Sequence, residues 1–142
     1  MKIQESAENY LEAILILNKR NGEVHAIDIA AELEFSKPSV SVAMKRLREN
    51  GYVEVNGMGH ITLTDKGMEI AQRMYERHTF LSSWLASIGV DPVIAAEDAC
   101  RMEHVISAET CDAIRAYAAL NVGSKYGNKG APPACAGGAF EN

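Results

Sequence analysis

The sequence predicts a mainly α-helical protein whose N-terminal part carries one short β-hairpin and whose remainder is helical. Three observations lead there. Apolar residues recur at three- and four-residue steps over 5–20, 26–34 and 37–50, the mark of helices with one inward face. Directly after them, Tyr52-Val53-Glu54-Val55 and His60-Ile61-Thr62-Leu63-Thr64 alternate about Asn56-Gly57-Met58-Gly59, the pattern of two strands and a glycine-rich turn. Beyond residue 64 the helical period returns and persists to about residue 120. The expected divisions are therefore 1–64, 65–120 and a tail, 121–142.

A chain of 142 residues, 47% hydrophobic and 23% charged, suits one domain or two small ones sharing a core. The first helix carries Glu5, Glu8 and Glu12, and no apolar run approaches the roughly 18 residues of a membrane span. Neither a signal peptide nor a membrane partner is expected, which points to the cytoplasm. Cys100, Cys111 and Cys135 are odd in number, far apart and without a Cys-x-x-Cys pair, so neither a disulfide framework nor a zinc finger is expected. Net charge is −5, which argues against a protein that coats nucleic acid without specificity. Residues 36–50 run against that balance, with Lys37, Lys45, Arg46 and Arg48 opposed by Glu49 alone. A basic stretch on an acidic body suggests targeted DNA contact.

In the first helix Ala7, Tyr10, Leu11, Ile14, Leu15 and Leu17 form the apolar side, Asn9 and Glu12 lie on the polar side, and Asn21-Gly22 ends it. The second is short, with Ile29, Ala30 and Leu33 inward. Glu34-Phe35-Ser36 makes a tight connection, Ser36 suits an N-cap, and Pro38 falls in the first turn, where a missing N–H costs nothing. The third helix turns Val40, Ala43, Met44 and Leu47 inward. Its opposite face carries Pro38, Val42, Lys45 and Glu49, flanked by Ser39, Ser41 and Arg46. Cations can bind phosphates, serines can bond phosphates or base edges, and an apolar tip can touch a thymine methyl. Alone, the pattern is more often that of a solvated helix face, since basic surface helices are common. The order of helix, short helix, basic helix and hairpin decides otherwise, because it is that of a winged helix-turn-helix, in which the basic helix enters the major groove.

Thr64 or Asp65 caps a long helix to about Ile88, closed by Gly89, with Ala71, Met74, Tyr75, His78, Leu81 and Leu85 in one stripe. That stripe is longer than a lone winged domain needs, so part of it should meet another subunit. Asp91-Pro92 starts the next helix, whose apolar side reads as Ile94, Met102, Val105 and Ile106. Cys100, Glu103 and His104 stand there at i, i+3 and i+4, a thiol, a carboxylate and an imidazole on one face and within reach of one metal ion. One helix rarely closes a coordination sphere, and Asn9, Glu12 and His78 are the candidates for the rest. Ser107 caps a last helix to about Leu120. In 121–142, Gly, Ala and Pro fill 11 of 22 positions, which reads as a flexible tail with Cys135 incidental to it. There is no internal repeat, phosphate-binding glycine loop or nucleophile elbow.

From about Ser6 to Leu120 the chain resembles the diphtheria-toxin-repressor and manganese-transport-regulator family of metal-activated bacterial repressors. The resemblance rests on Glu8-Asn9-Tyr10-Leu11-Glu12, Ser36-Lys37-Pro38-Ser39-Val40-Ser41, Leu63-Thr64-Asp65-Lys66-Gly67, Arg77-His78 and Ala99-Cys100-Arg101-Met102-Glu103-His104-Val105. It implies a homodimer that binds Fe(II) or Mn(II) and represses metal-uptake genes from palindromic double-stranded operators, with no small organic substrate. It also implies a ligand set of Asn9, Glu12, His78, Cys100, Glu103 and His104, and DNA contacts from Ser36, Lys37, Pro38, Ser39, Ser41, Val42, Lys45 and Arg46.

The sequence departs from the family at three places. Asn9 stands where the iron branch has methionine and the manganese branch aspartate. Cys100 matches the iron branch, the manganese branch having glutamate, and thiolate favours ions softer than Mn(II); Fe(II) is the expected metal, with Co(II), Ni(II) and Zn(II) able to bind in vitro. Ser82 and Ala96 occupy the positions of a carboxylate and a histidine in the iron branch's ancillary site, so that site is not expected in its usual form. Two other readings remain: a winged-helix regulator without metal control, Asn9 marking the loss, and a small zinc-dependent hydrolase. No substrate pocket signature and no general base beyond the ligands support an enzyme, so none is expected.

Overall fold

The computed structural model describes residues 5–122, which divide into two compact units, one running to Tyr75 and the other from Glu76. The division falls within a long helix, whereas the change of sequence pattern at 64/65 falls at its start.

The first unit begins with α1 (Glu5–Asn21), α2 (Ala26–Leu33) and α3 (Lys37–Glu49), followed by β1 (Val53–Val55), β2 (Ile61–Leu63) and the opening turns of α4 (Asp65–Ser87). Leu11, Ile14, Ile29, Leu33, Val40, Met44, Leu47, Tyr52, Val53, Ile61 and Ala71 form its core. These are the inward positions that helical and alternating periods name, so local pattern and packing agree. The exception is α1, which is buried on every side from Asn9 to Leu17, its polar residues included.

The turn between α2 and α3 is built from backbone geometry. Glu34 ends α2 in the left-handed region at φ 58°, and Phe35 N–H reaches back to Ala30 O at 3.1 Å. Ser36 then caps α3, its Oγ accepting from Ser39 N–H at 3.3 Å, with Pro38 in the first turn. The hairpin pairs Val53 with Leu63, Glu54 with Thr62 and Val55 with Ile61. Its turn is held by Asn56 Oδ1, which accepts from Met58 N–H and His60 N–H, both at 2.9 Å. Where α4 leaves the hairpin, Thr64 Oγ1 accepts from Gly67 N–H at 3.2 Å. A Cβ on Gly67 would collide with the Tyr52 carbonyl oxygen, so only glycine fits.

The second unit holds the later turns of α4, then α5 (Pro92–Val105) and α6 (Ala108–Val122). Asp91 Oδ2 caps α5 by accepting from Val93 N–H at 3.1 Å, and Ser107 Oγ caps α6 by accepting from Thr110 N–H at 3.1 Å. The expected inward side of α5 is corrected. Ile94 and Val105 are exposed, at 51% and 71%, while Ala95, Ala99, Cys100 and Glu103 are buried. Small residues and the polar ligand candidates, rather than the large apolar side chains, are the buried positions of this helix. The expected flexible tail and Cys135 lie outside the described residues. Among the described residues no helix is long and apolar enough to cross a membrane.

Candidate metal centre and nucleic-acid interface

The outer face of α3 lies as the periodicity implies. With Val40, Met44 and Leu47 holding the inner face, Ser36, Lys37, Pro38, Ser39, Ser41, Val42, Lys45 and Arg46 are all exposed. Val42 is 53% exposed, an apolar tip among hydroxyls and cations. That surface can bind phosphates through Lys37, Lys45 and Arg46 while presenting short side chains to base edges. At the hairpin turn Met58 is 77% exposed, an apolar wing tip that the sequence reading passed over.

In the second unit, α4 supplies His78 and α5 supplies Cys100, Glu103 and His104. Glu103 is fully buried, and an imidazole approaches each of its oxygens: His78 Nδ1 lies 3.0 Å from Oε2 and His104 Nε2 lies 3.3 Å from Oε1. The backbone of Glu103 is fixed as well, since Arg77 Nη1 donates to its carbonyl oxygen at 2.9 Å. This role of Arg77, one residue before a ligand candidate and 26 residues from its partner, had no signal in spacing. Burying a carboxylate is costly unless it is paired or coordinated, and two imidazoles with one carboxylate are a donor set that divalent transition ions accept. Glu103 and His104 offer ligand atoms close enough to share such an ion, while His78 meets Glu103 at its other oxygen.

Cys100 is buried beside this cluster on α5, and Cys111 is buried and free. A metal takes the thiolate form of Cys100. In the first unit Asn9 and Glu12 are buried on α1, at 1% and 2% exposure. Asn9 Nδ2 has no hydrogen-bond partner among the described residues. Turned end for end, that amide would offer its carbonyl oxygen in the same place, which suits a hard-ion ligand.

Three helices and a wing with an exposed basic helix define a winged helix-turn-helix regulator, here followed by a helical unit with a buried set of metal-ligand side chains. The model of the iron dependent repressor N-terminal DNA binding domain matches residues 2–61, and that of the iron dependent repressor metal binding and dimerisation domain matches residues 64–122. The chain belongs to this family, that of the diphtheria-toxin repressor and of MntR: metal-dependent transcriptional repressors, not enzymes. Transcriptional regulator MntR of Escherichia coli is 39% identical over 114 residues, covering 80% of this chain and 74% of its own. Among solved structures, a manganese-dependent transcriptional repressor in complex with manganese superposes with a TM-score of 0.72 at 27% identity, over 78% of this chain and 51% of that one. The manganese regulator SloR gives 0.67 at 26% identity, over 82% and 55%. The chain thus spans about half the length of those two solved structures.

Proposed function

We propose that the chain is a cytoplasmic, homodimeric repressor that binds palindromic operators and silences metal-uptake genes when loaded with Fe(II) or Mn(II). The observation that carries the reading is Glu103, a fully buried carboxylate with His78 and His104 at its two oxygens. His78, Cys100 as thiolate, Glu103 and His104 are the ligands from the second unit, and Asn9 and Glu12 on α1 complete the set. The ion supplies charge neutralisation and directional bonds to these groups. Side chains on separate elements are held together only while it is bound, so metal favours one arrangement of the two units. If that arrangement spaces the paired α3 helices by about 34 Å, one DNA turn, metal sets operator affinity.

Two supports differ on the ion. A thiolate at Cys100 favours Fe(II) over Mn(II), whereas two structural neighbours are described by manganese. Replacing Cys100 by glutamate should shift preference towards Mn(II); an unaltered metal ranking removes cysteine from the selectivity argument. The direct test of the site uses Glu103→Ala and His104→Ala on reduced protein. Metal-stimulated DNA binding should vanish in both while the dimer persists, and full stimulation in both would refute the assignment.

A further inference from the structure

A second group of titratable side chains gathers where the wing meets the start of α2, wholly within the first unit. Ile61 N–H donates to Val24 O at 2.8 Å, so the chain before α2 runs beside β2. That bond sets His25, the residue after Val24, next to His60, the residue before Ile61. Their rings meet edge to face, with centroids 4.5 Å apart and planes at 80°. Each imidazole has its own carboxylate. Glu23 Oε2 lies 3.4 Å from His60 Nε2, and Asp28 Oδ2 lies 3.5 Å from His25 Nδ1. Asp28 Oδ2 also accepts from His25 N–H at 2.9 Å, which ties that residue's backbone to α2.

Two donors bound to one tetrahedral ion at about 2.0–2.1 Å stand roughly 3.3 Å apart. The separation of Glu23 Oε2 from His60 Nε2 is already of that size, and the His25 ring lies against the His60 ring with centroids 4.5 Å apart. Asp28 anchors His25 through the backbone N–H it accepts from and keeps a carboxylate beside its Nδ1. The side chains are reachable, with His25 39% and His60 22% exposed. Nitrogen-rich sets of this kind select borderline ions over Mg(II) or Ca(II).

We propose that His25, His60 and Glu23 form a second divalent-metal site, for a borderline ion such as Zn(II), Cu(II) or Ni(II), with Asp28 as its positioning residue. Such an ion clips the base of the wing to the first residue of the helix-turn-helix. Because metal displaces protons from imidazole nitrogen, its affinity falls as the solution is acidified. The site stands apart from the Glu103 cluster and does not depend on the repressor reading.

The test titrates Zn(II) into the full-length chain carrying Glu103→Ala and His104→Ala, which silences the other cluster, and follows histidine ring nitrogens by NMR. The expected result is one bound equivalent, shifts at His25 and His60, and slowed hydrogen exchange at the Ile61 amide. Adding His60→Gln should remove that equivalent, and Asp28→Asn should weaken it by about tenfold or more. In the otherwise wild-type chain, His60→Gln alone should lower the zinc stoichiometry by one. Unmoved ring signals in the folded protein, or an unchanged stoichiometry after His60→Gln, would overturn the proposal.

Discussion

The α3 and α5 helices are of similar length and obey opposite rules. In α3 the large apolar residues Val40, Met44 and Leu47 are buried and the polar ones exposed. In α5 the large apolar residues Val93, Ile94 and Val105 are exposed and a carboxylate is buried among alanines. The first unit is stabilised by apolar burial, and its one polar departure from that rule is Asn9 and Glu12 on α1. In the second unit the ligand-type side chains His78, Cys100 and Glu103 are buried beside Leu81 and small residues, and the large apolar residues Val93, Ile94, Val105, Tyr117 and Leu120 are exposed. A helix of the second kind fits a protein whose folding is completed by something not in the chain, an ion at Glu103 and, in the proposed dimer, a second copy over the apolar face.

Four measurements would break or sharpen this contrast. The largest effect belongs to the first unit: Leu11→Ala, at a fully buried core position, should cost about 2–5 kcal/mol in denaturant unfolding. Next, if the second unit is completed by metal, reduced protein at a hundredfold excess of metal over Kd should lose about 2.7 kcal/mol on chelation. Glu103→Ala should show no such loss, and equal chelator sensitivity in both would detach stability from the cluster. Gly67→Ala should cost about 1–3 kcal/mol, because the added methyl meets the Tyr52 carbonyl and the backbone must shift. Smallest on folding is Val105→Ser, expected within about 0.5 kcal/mol of the parent. The same substitution should weaken the proposed dimer in sedimentation equilibrium, and an unchanged association constant would assign that face to something else.

The same contrast explains what could be read before the structure. The first unit was legible because its determinants are local. Ser36 and Pro38 start a helix whatever surrounds them, alternation sets the hairpin, and the inward face of α3 follows from period alone. Cys100, Glu103 and His104 were legible as a group for a similar reason, since their spacing on one helix needs no tertiary information. The inward face of α5 was not. Period identifies a stripe, but which stripe is buried goes with the pairing of Glu103 with His78, a residue of another helix. Contacts made across long sequence separation, Arg77 with Glu103 and His25 with His60, carried no pattern for the same reason.

The central claim is that metal held at Glu103 controls sequence-specific DNA binding. The most direct measurement selects duplexes from a random-sequence pool by anaerobic fluorescence-anisotropy binding to the reduced full-length protein, in parallel with Fe(II), Mn(II) and chelator. The account predicts enrichment of a palindrome with metal and none with chelator. Enrichment of the same palindrome in the presence of chelator would contradict it, leaving a winged-helix regulator whose DNA binding does not answer to metal.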